Sequence, residues 1–152
     1  MVIGSNILAG SSGQVSGTHV IEQSIRWNDG DSPYLYRSPS GAGSATTMTW
    51  SYWVKRAANF GANNWMWGSY SSPLQDQCFF NTSDQLNFSI DVGSSRLTTT
   101  RVFRDPAWFH VVLVWDSNAT SGDRMRMYIN GERQTDFATE TYPKLQIPHS
   151  IS

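Results

Sequence analysis

The stretch WFHVVLVWDSNATSGDRMRMYINGERQTDF, residues 108–137, decides the fold class of this chain. Its first segment, 108–116, carries apolar side chains at both the odd and the even positions, so both faces of an extended chain are apolar. A strand of this kind is typical of the middle of a sheet that is covered on both faces. We therefore predict a central strand at 108–116. One face is formed by Phe109, Val111, Leu113 and Trp115.

The second half of the stretch predicts a tight hairpin. After the polar loop DSNATSGD, 116–123, the sequence MRMYI alternates apolar and polar side chains, with Met125, Met127 and Ile129 on one face. Asn130-Gly131 follows directly, and this pair is the strongest short signal for a type I′ turn, because both central residues of that turn need a positive φ.

The rest of the chain consists of short strand-like segments separated by polar or Gly-bearing breaks. In 47–56 the side chains of Trp50 and Tyr52 point one way, while those of Ser51 and Trp53 point the other. The further segments are 64–70, 77–81, 86–92, 96–103 and 124–130, with weaker ones at Val20–Trp27 and Tyr34–Arg37. No stretch keeps a helical period over ten residues. This pattern predicts an antiparallel sandwich or barrel.

Size and composition exclude several classes of protein. The 152 residues suit one domain, and 11 Lys plus Arg against 12 Asp plus Glu give no general attraction to nucleic acid or an anionic membrane. The beginning of the chain, VIGSNILAGSSGQ, lacks a basic segment, and its apolar run is too short for a signal peptide or a membrane span. Cys78 is the single cysteine, which excludes an intrachain disulfide, and we expect a core residue there.

Three motifs carry a family resemblance. WVKR at 53–56, TTTRVFRDPAWFHVVLVWD at 98–116 and RMRMYING at 124–131 resemble a concanavalin A-like, laminin-G-like jelly roll. That resemblance implies an all-β, antiparallel two-sheet jelly-roll sandwich, here over residues 20–143. The segment SIRWNDGDSPYLYRSPS, 24–40, resembles domains of bacteriophage virion proteins, which are often tail fibres or other appendages.

The phage resemblance leads to a non-enzymatic structural role in the virion. We expect a tail-fibre or appendage subunit, assembled in the host cytoplasm, whose partners are other virion proteins and copies of itself in a homo-oligomer. The Gly- and Ser-rich residues 1–19 are expected to be a flexible N-terminal arm that docks the subunit to the particle. The alternatives are a capsid decoration protein and a lectin module that binds a host surface glycan. Neither nucleic acid binding nor membrane insertion is expected.

The carboxylates do not follow the glycosidase pattern. The glycosidases of the fold that this chain resembles carry paired carboxylates on one strand, in an E-x-D-x-x-E pattern, and use them as the nucleophile and the general acid. Glu22, Glu132 and Glu140 have no acidic residues at those offsets. His110 lies in the predicted central strand, where the resembling domains use it structurally. We therefore predict that the chain is not an enzyme.

A calcium site is a second possibility that the sequence raises. Asn28-Asp29-Gly30-Asp31 supplies oxygen ligands around a turn, and laminin-G-like domains often hold calcium at a rim through Asp side chains. The segment lacks the spaced acidic ligands and closing Glu of a calcium loop, and Asn-Asp-Gly is also good turn chemistry. We expect a simple turn and no cofactor, with Asp29 and Asp31 as weak calcium candidates.

The segment ANNWMWGSY, 62–70, is the candidate glycan site. Trp65 and Trp67 are two residues apart and would share one face of an extended strand, where they could stack on sugar rings. Hydrogen-bonding neighbours would be Asn63, Asn64 and Tyr70. The alternative is that both Trp side chains fill the core, which the total of seven Trp residues favours.

The end of the chain leaves the sandwich short of strands. Resembling domains continue beyond the position of Pro143, but only KLQIPHSIS, 144–152, remains here, and Pro148 disfavours a central strand. We expect an extended tail, together with a fragment of a longer protein or missing strands supplied by a neighbouring copy or partner. The fragment is favoured because fibre proteins are long.

Overall fold

A computed structural model describes residues 40–41, 43–56, 60–71, 74–91 and 94–145. The chain divides into two units, Met1–Ser38 and Pro39–Ser152, and all the described residues belong to the second. The predicted strands Val20–Trp27 and Tyr34–Arg37, the docking arm and residues 146–152 of the tail therefore lie outside the described residues.

The described residues form nine strands in two antiparallel sheets. The strands are β1 Thr47–Lys55, β2 Asn64–Ser71, β3 Leu74–Phe80, β4 Gln85–Ile90, β5 Ser95–Val102, β6 Trp108–Asp116, β7 Met125–Ile129, β8 Glu132–Arg133 and β9 Phe137–Thr141. Sheet A has the order β1-β6-β7-β8, and sheet B has the order β2-β3-β4-β5-β9. The prediction of an all-β, two-sheet sandwich is confirmed. Within the described ranges, no helix is long and apolar enough to cross a membrane.

Strand β6 lies between β1 and β7, as its sequence predicts. Phe109, Val111, Leu113 and Trp115 are buried on its inner face. On its outer face, His110, Val112 and Val114 are only half-buried. The prediction of a central strand is thus confirmed, whereas complete cover on both faces is not: the outer apolar residues of β6 keep contact with solvent.

The core fills the space between the inner faces of the two sheets. The buried apolar residues are Cys78, Phe80, Leu86, Phe88, Ile90, Leu97, Phe103, Phe109, Val111, Leu113, Trp115, Met125, Met127 and Ile129. Stacking of Trp50 from sheet A on Trp67 from sheet B, with ring centroids 4.9 Å apart, joins the sheets across this core.

Cys78 is a core residue, as predicted. Its Sγ lies 3.4 Å from the hydroxyl of Tyr52, and its side chain is completely buried. Burial raises the pKa of the Cys78 thiol to about 12. Because the thiolate is the reactive form of cysteine, this thiol is inert at neutral pH.

The hairpin between β7 and β8 has the predicted turn. Asn130 has a φ of 52° and Gly131 a φ of 84°, as a type I′ turn requires. Pairing of Ile129 with Glu132 closes the hairpin. The short strand β8 is the second strand of this predicted hairpin. The polar strand β9 shows little apolar alternation, so the sequence pattern does not predict it, and its pairing with β5 makes it a strand.

Candidate ligand-binding site

The predicted glycan site around Trp65 and Trp67 does not assemble as expected. A β-bulge between these residues shifts the register, so Trp65 pairs with Phe79 whereas Trp67 pairs with Cys78. Phe79 and Cys78 face opposite sides of β3. Trp67 therefore points into the core and Trp65 outward, and the expectation that they share one face is wrong, because the bulge inserts an extra residue into the alternation.

The polar members of the predicted site also separate. Asn63 is exposed in the loop before β2, whereas Asn64 is half-buried and its Nδ2 donates to the carbonyl oxygen of Ala62 at 2.7 Å. The side chain of Tyr70 lies outside what the structure describes. Of the two predicted stacking residues, Trp65 is 59% exposed, whereas Trp67 is half-buried and lines a depression of about 330 Å³ with Trp50.

Trp65 forms a small exposed cluster on the outer face of sheet B. Its ring stacks on Phe79 with centroids 5.3 Å apart, and its Nε1 donates to Oε1 of Gln77 at 3.3 Å. Trp65 also lines a depression of about 190 Å³, together with residues that include Lys55, Asn64 and Phe80.

A larger aromatic surface lies on the outer face of sheet A. Strand alternation turns Trp53 of β1 and Trp108 of β6 outward, and these side chains are 65% and 62% exposed. The register pairs Trp53 with His110, whose ring lies 5.1 Å from the Trp53 ring. These three side chains, with Asn130 and Gly131, line an open depression of about 520 Å³, here called the outer aromatic site.

Hydrogen bonds fix the floor of the outer aromatic site. The Nε2 atom of His110 and the hydroxyl of Ser51 lie 2.9 Å apart. Asn130 is joined to the backbone of His110 twice: its side-chain Oδ1 accepts from the His110 N–H, and its own N–H donates to the His110 carbonyl oxygen. The residues are therefore held in place on strands and a closed hairpin, as a preorganised binding site requires.

An ion cluster around the buried carboxylate of Asp84 supports the end of the sandwich next to this site. The carboxylate of Asp84 accepts from the backbone N–H of Gly61 at 2.8 Å, from Arg104 at 2.7 Å and from Arg56 at 3.0 Å. Arg56 also donates to the carbonyl oxygen of Phe103 at 2.8 Å. The hydrogen bond from Gly61, followed by those from the two guanidinium groups, lowers the pKa of Asp84 to about 2. The cluster thus joins the end of β1 to the segment that leads into Trp108.

Comparison with known families identifies the domain. A family model described as the concanavalin A-like lectin/glucanases superfamily matches residues 16–149. The chain belongs to this superfamily. Comparisons with curated proteins and with solved structures gave no significant match.

Membership of the concanavalin A-like superfamily leaves both binding and catalysis open, since its description covers lectins and glucanases. The residues that the structure describes around the outer aromatic site include no carboxylate. Glu132 lies in sheet A and Glu140 in sheet B, where Glu140 accepts a hydrogen bond from the hydroxyl of Tyr142 at 2.6 Å. Glu22 lies outside the described residues.

The weak calcium candidates of the sequence are residues that the structure does not describe. Asp29 and Asp31 lie outside the described ranges, so the predicted turn and the weak calcium site both stay predictions. Within those ranges, no three His, Cys, Asp or Glu side chains converge as metal ligands would.

The outer aromatic site could have been found in part from the sequence of this concanavalin A-like domain. Alternation already turns Trp53 away from the core side of 47–56, and Phe109 facing inward turns Trp108 outward. The sequence alone does not predict the register of β1 against β6, which places Trp53 opposite His110. The Asp84 cluster gives no such signal, because its three partners come from distant parts of the chain.

Proposed function

We propose that this domain is a non-enzymatic carbohydrate-binding module of a bacteriophage virion protein, a tail-fibre or appendage subunit that binds a host surface glycan at the outer aromatic site. The observation that carries the proposal is the exposure of Trp53 and Trp108, which lie beside His110 on one face of a sheet. Large exposed apolar patches on soluble proteins mark interaction sites, and flat aromatic rings with polar neighbours suit the apolar faces of sugar rings.

The chemistry of the site favours binding over hydrolysis. A retaining or inverting glycosidase needs two carboxyl groups on either side of the scissile bond. The depression is lined by two Trp side chains, His110, Asn130 and Gly131, none of which supplies a carboxylate. Among these described residues, a sugar stacked there would meet aromatic faces and hydrogen-bonding groups but no carboxyl group.

The virion context rests on the resemblance of residues 24–40 to phage appendage domains. In that context the subunit has other virion proteins and copies of itself as partners, and the mature particle as its location. A host-binding function and an appendage location support one another, because an appendage meets the host surface first. Many copies on one particle would also raise the avidity of a weak sugar site.

The proposal is tested by removing one platform residue at a time. Trp53→Ala and Trp108→Ala should each lower affinity about tenfold or more in glycan-array and titration measurements, because each removes a stacking ring. Trp65→Ala is the matched control: it deletes an exposed Trp from the other sheet and should leave affinity unchanged. Melting curves of all three variants verify folding.

Two results would contradict the proposal. One is loss of glycan binding in Trp65→Ala with full binding in Trp53→Ala, which would place the site on sheet B. The other is turnover of a bound polysaccharide, which would make the domain an enzyme.

A further inference from the structure

A second depression adjoins the outer aromatic site. It has a volume of about 200 Å³ and extends from the end of β5, at Arg101 and Val102, along the segment 103–107 that joins β5 to β6. Trp108 and Asn130 line both depressions, so they form a wall common to the two. The charged residues of the second depression are Arg101 and Asp105.

We propose that the two depressions are adjoining subsites of one groove that binds an acidic polysaccharide. One sugar ring lies on the outer aromatic site, and the anionic group of a neighbouring sugar lies at Arg101. This inference rests on the proposed function and specifies the class of glycan that the site takes.

The shared wall supports the binding of a chain rather than a single sugar. A monosaccharide would use one depression, whereas two depressions that meet at Trp108 match consecutive units of a polymer. The larger depression alone has a volume within the range of about 300–1,000 Å³ that is usual for small-ligand sites. The second depression therefore adds contacts for the next unit along the chain.

One charged residue of the second depression, Arg101, supports an acidic ligand. The Arg101 guanidinium lies 4.9 Å from the centroid of the Phe103 ring, and it has no ion-pair partner among the described residues. Arg56 and Arg104 at the same end of the sandwich are instead both paired with Asp84. A guanidinium held against an aromatic ring is well suited to bidentate recognition of a carboxylate, sulfate or phosphate.

The remaining charged groups near the groove are compatible with this assignment. Lys55 is exposed and pairs in register with Trp108, so it adds positive charge beside the shared wall. Asp105 is the one carboxylate among the described residues that line the second depression, and its Oδ1 already accepts from the N–H of Ala107 at 3.0 Å. Its other oxygen can accept from a sugar hydroxyl.

The test compares each acidic polymer with its own neutral form. Immobilised polygalacturonate, alginate and hyaluronan are presented beside carboxyl-reduced samples of the same chains. The wild-type protein should bind at least one acidic polymer about tenfold or more tightly than its reduced form, because hydrogen bonds to charged groups are the stronger ones.

Arg101→Gln should abolish that preference while binding to the reduced form persists. Lys144→Gln, which removes a positive charge at the opposite end of the sandwich, is the control and should keep the preference.

The outcomes separate this inference from the proposed function. Equal binding of acidic and reduced polymers that is weakened by Trp53→Ala would overturn the acidic groove and leave the carbohydrate-binding module standing. A preference for acid that survives Arg101→Gln would also overturn the assignment of Arg101. If no acidic polymer binds, the inference is wrong, and the proposed function is then judged on the glycan array, which includes neutral sugars.

Discussion

At the scale of single residues, two Trp side chains that are close in sequence have different roles. Trp67 stacks on Trp50 and contacts Phe88 edge-on in the core, whereas Trp65 lies outside on Phe79. Trp67→Ala should therefore lower the free energy of unfolding by about 3 kcal/mol, the low end of the range for an aromatic core residue because Trp67 is half-buried. Trp65→Ala should cost about 1 kcal/mol or less, the value of one exposed aromatic pair.

Urea titration of the two variants measures this difference directly. Because Trp65 and Trp67 are neighbours on one strand and lose the same side chain, local backbone effects are closely matched. Equal losses of stability would mean that the bulge does not separate the two rings.

At the scale of the elements, Asp84 is the group that joins separate parts of the sandwich. Its folded pKa of about 2 lies below the ordinary value of 3.8. Stabilisation from this carboxylate is therefore fully present above about pH 4 and is lost as pH falls towards 2. Asp84→Asn should lower the Tm at pH 7, because Arg56 is then buried beside a neutral partner.

The pH dependence distinguishes this role from simple packing. The difference in Tm between wild type and Asp84→Asn should shrink as pH falls from 4 to 2. Asp123→Asn is the control, because Asp123 pairs with Arg133 on the exposed surface, where such pairs contribute little. A Tm difference for Asp84→Asn that stays constant over this range would show that the charge of Asp84 does not stabilise the fold.

The elements also show how far sequence reasoning extends. Strand β6 and the Asn130-Gly131 hairpin follow from local patterns, since alternation and turn chemistry act within a few residues. The bulge in β2 depends on pairing with β3, and no local pattern signals it. The outer aromatic site depends in the same way on the β1–β6 register. The sequence pattern predicts that its Trp side chains face outward, but it does not predict that they lie side by side.

At the scale of the whole molecule, we expect the sandwich to bind glycan and the N-terminal arm to dock the subunit to the particle. The superfamily match begins at residue 16, so nearly all of the arm, 1–19, lies outside the matched domain. The described strands pair with one another and share one apolar core. A segment rich in Gly and Ser is suited to ordering against a partner surface.

Deletion of residues 1–19 should therefore separate folding from assembly. The truncated protein should keep the Tm of the full chain and its affinity for glycan, because the described strands, their core and the described lining of the outer aromatic site are formed by residues beyond the deletion. In the proposed virion context it should fail to enter particles, as measured by the amount of subunit in purified virions relative to an internal capsid standard.

Trp53→Ala provides the converse control: it should enter particles normally and bind glycan poorly. Normal incorporation of the truncated protein would disprove docking through the arm, and a large drop in its Tm would mean that the arm belongs to the folded domain.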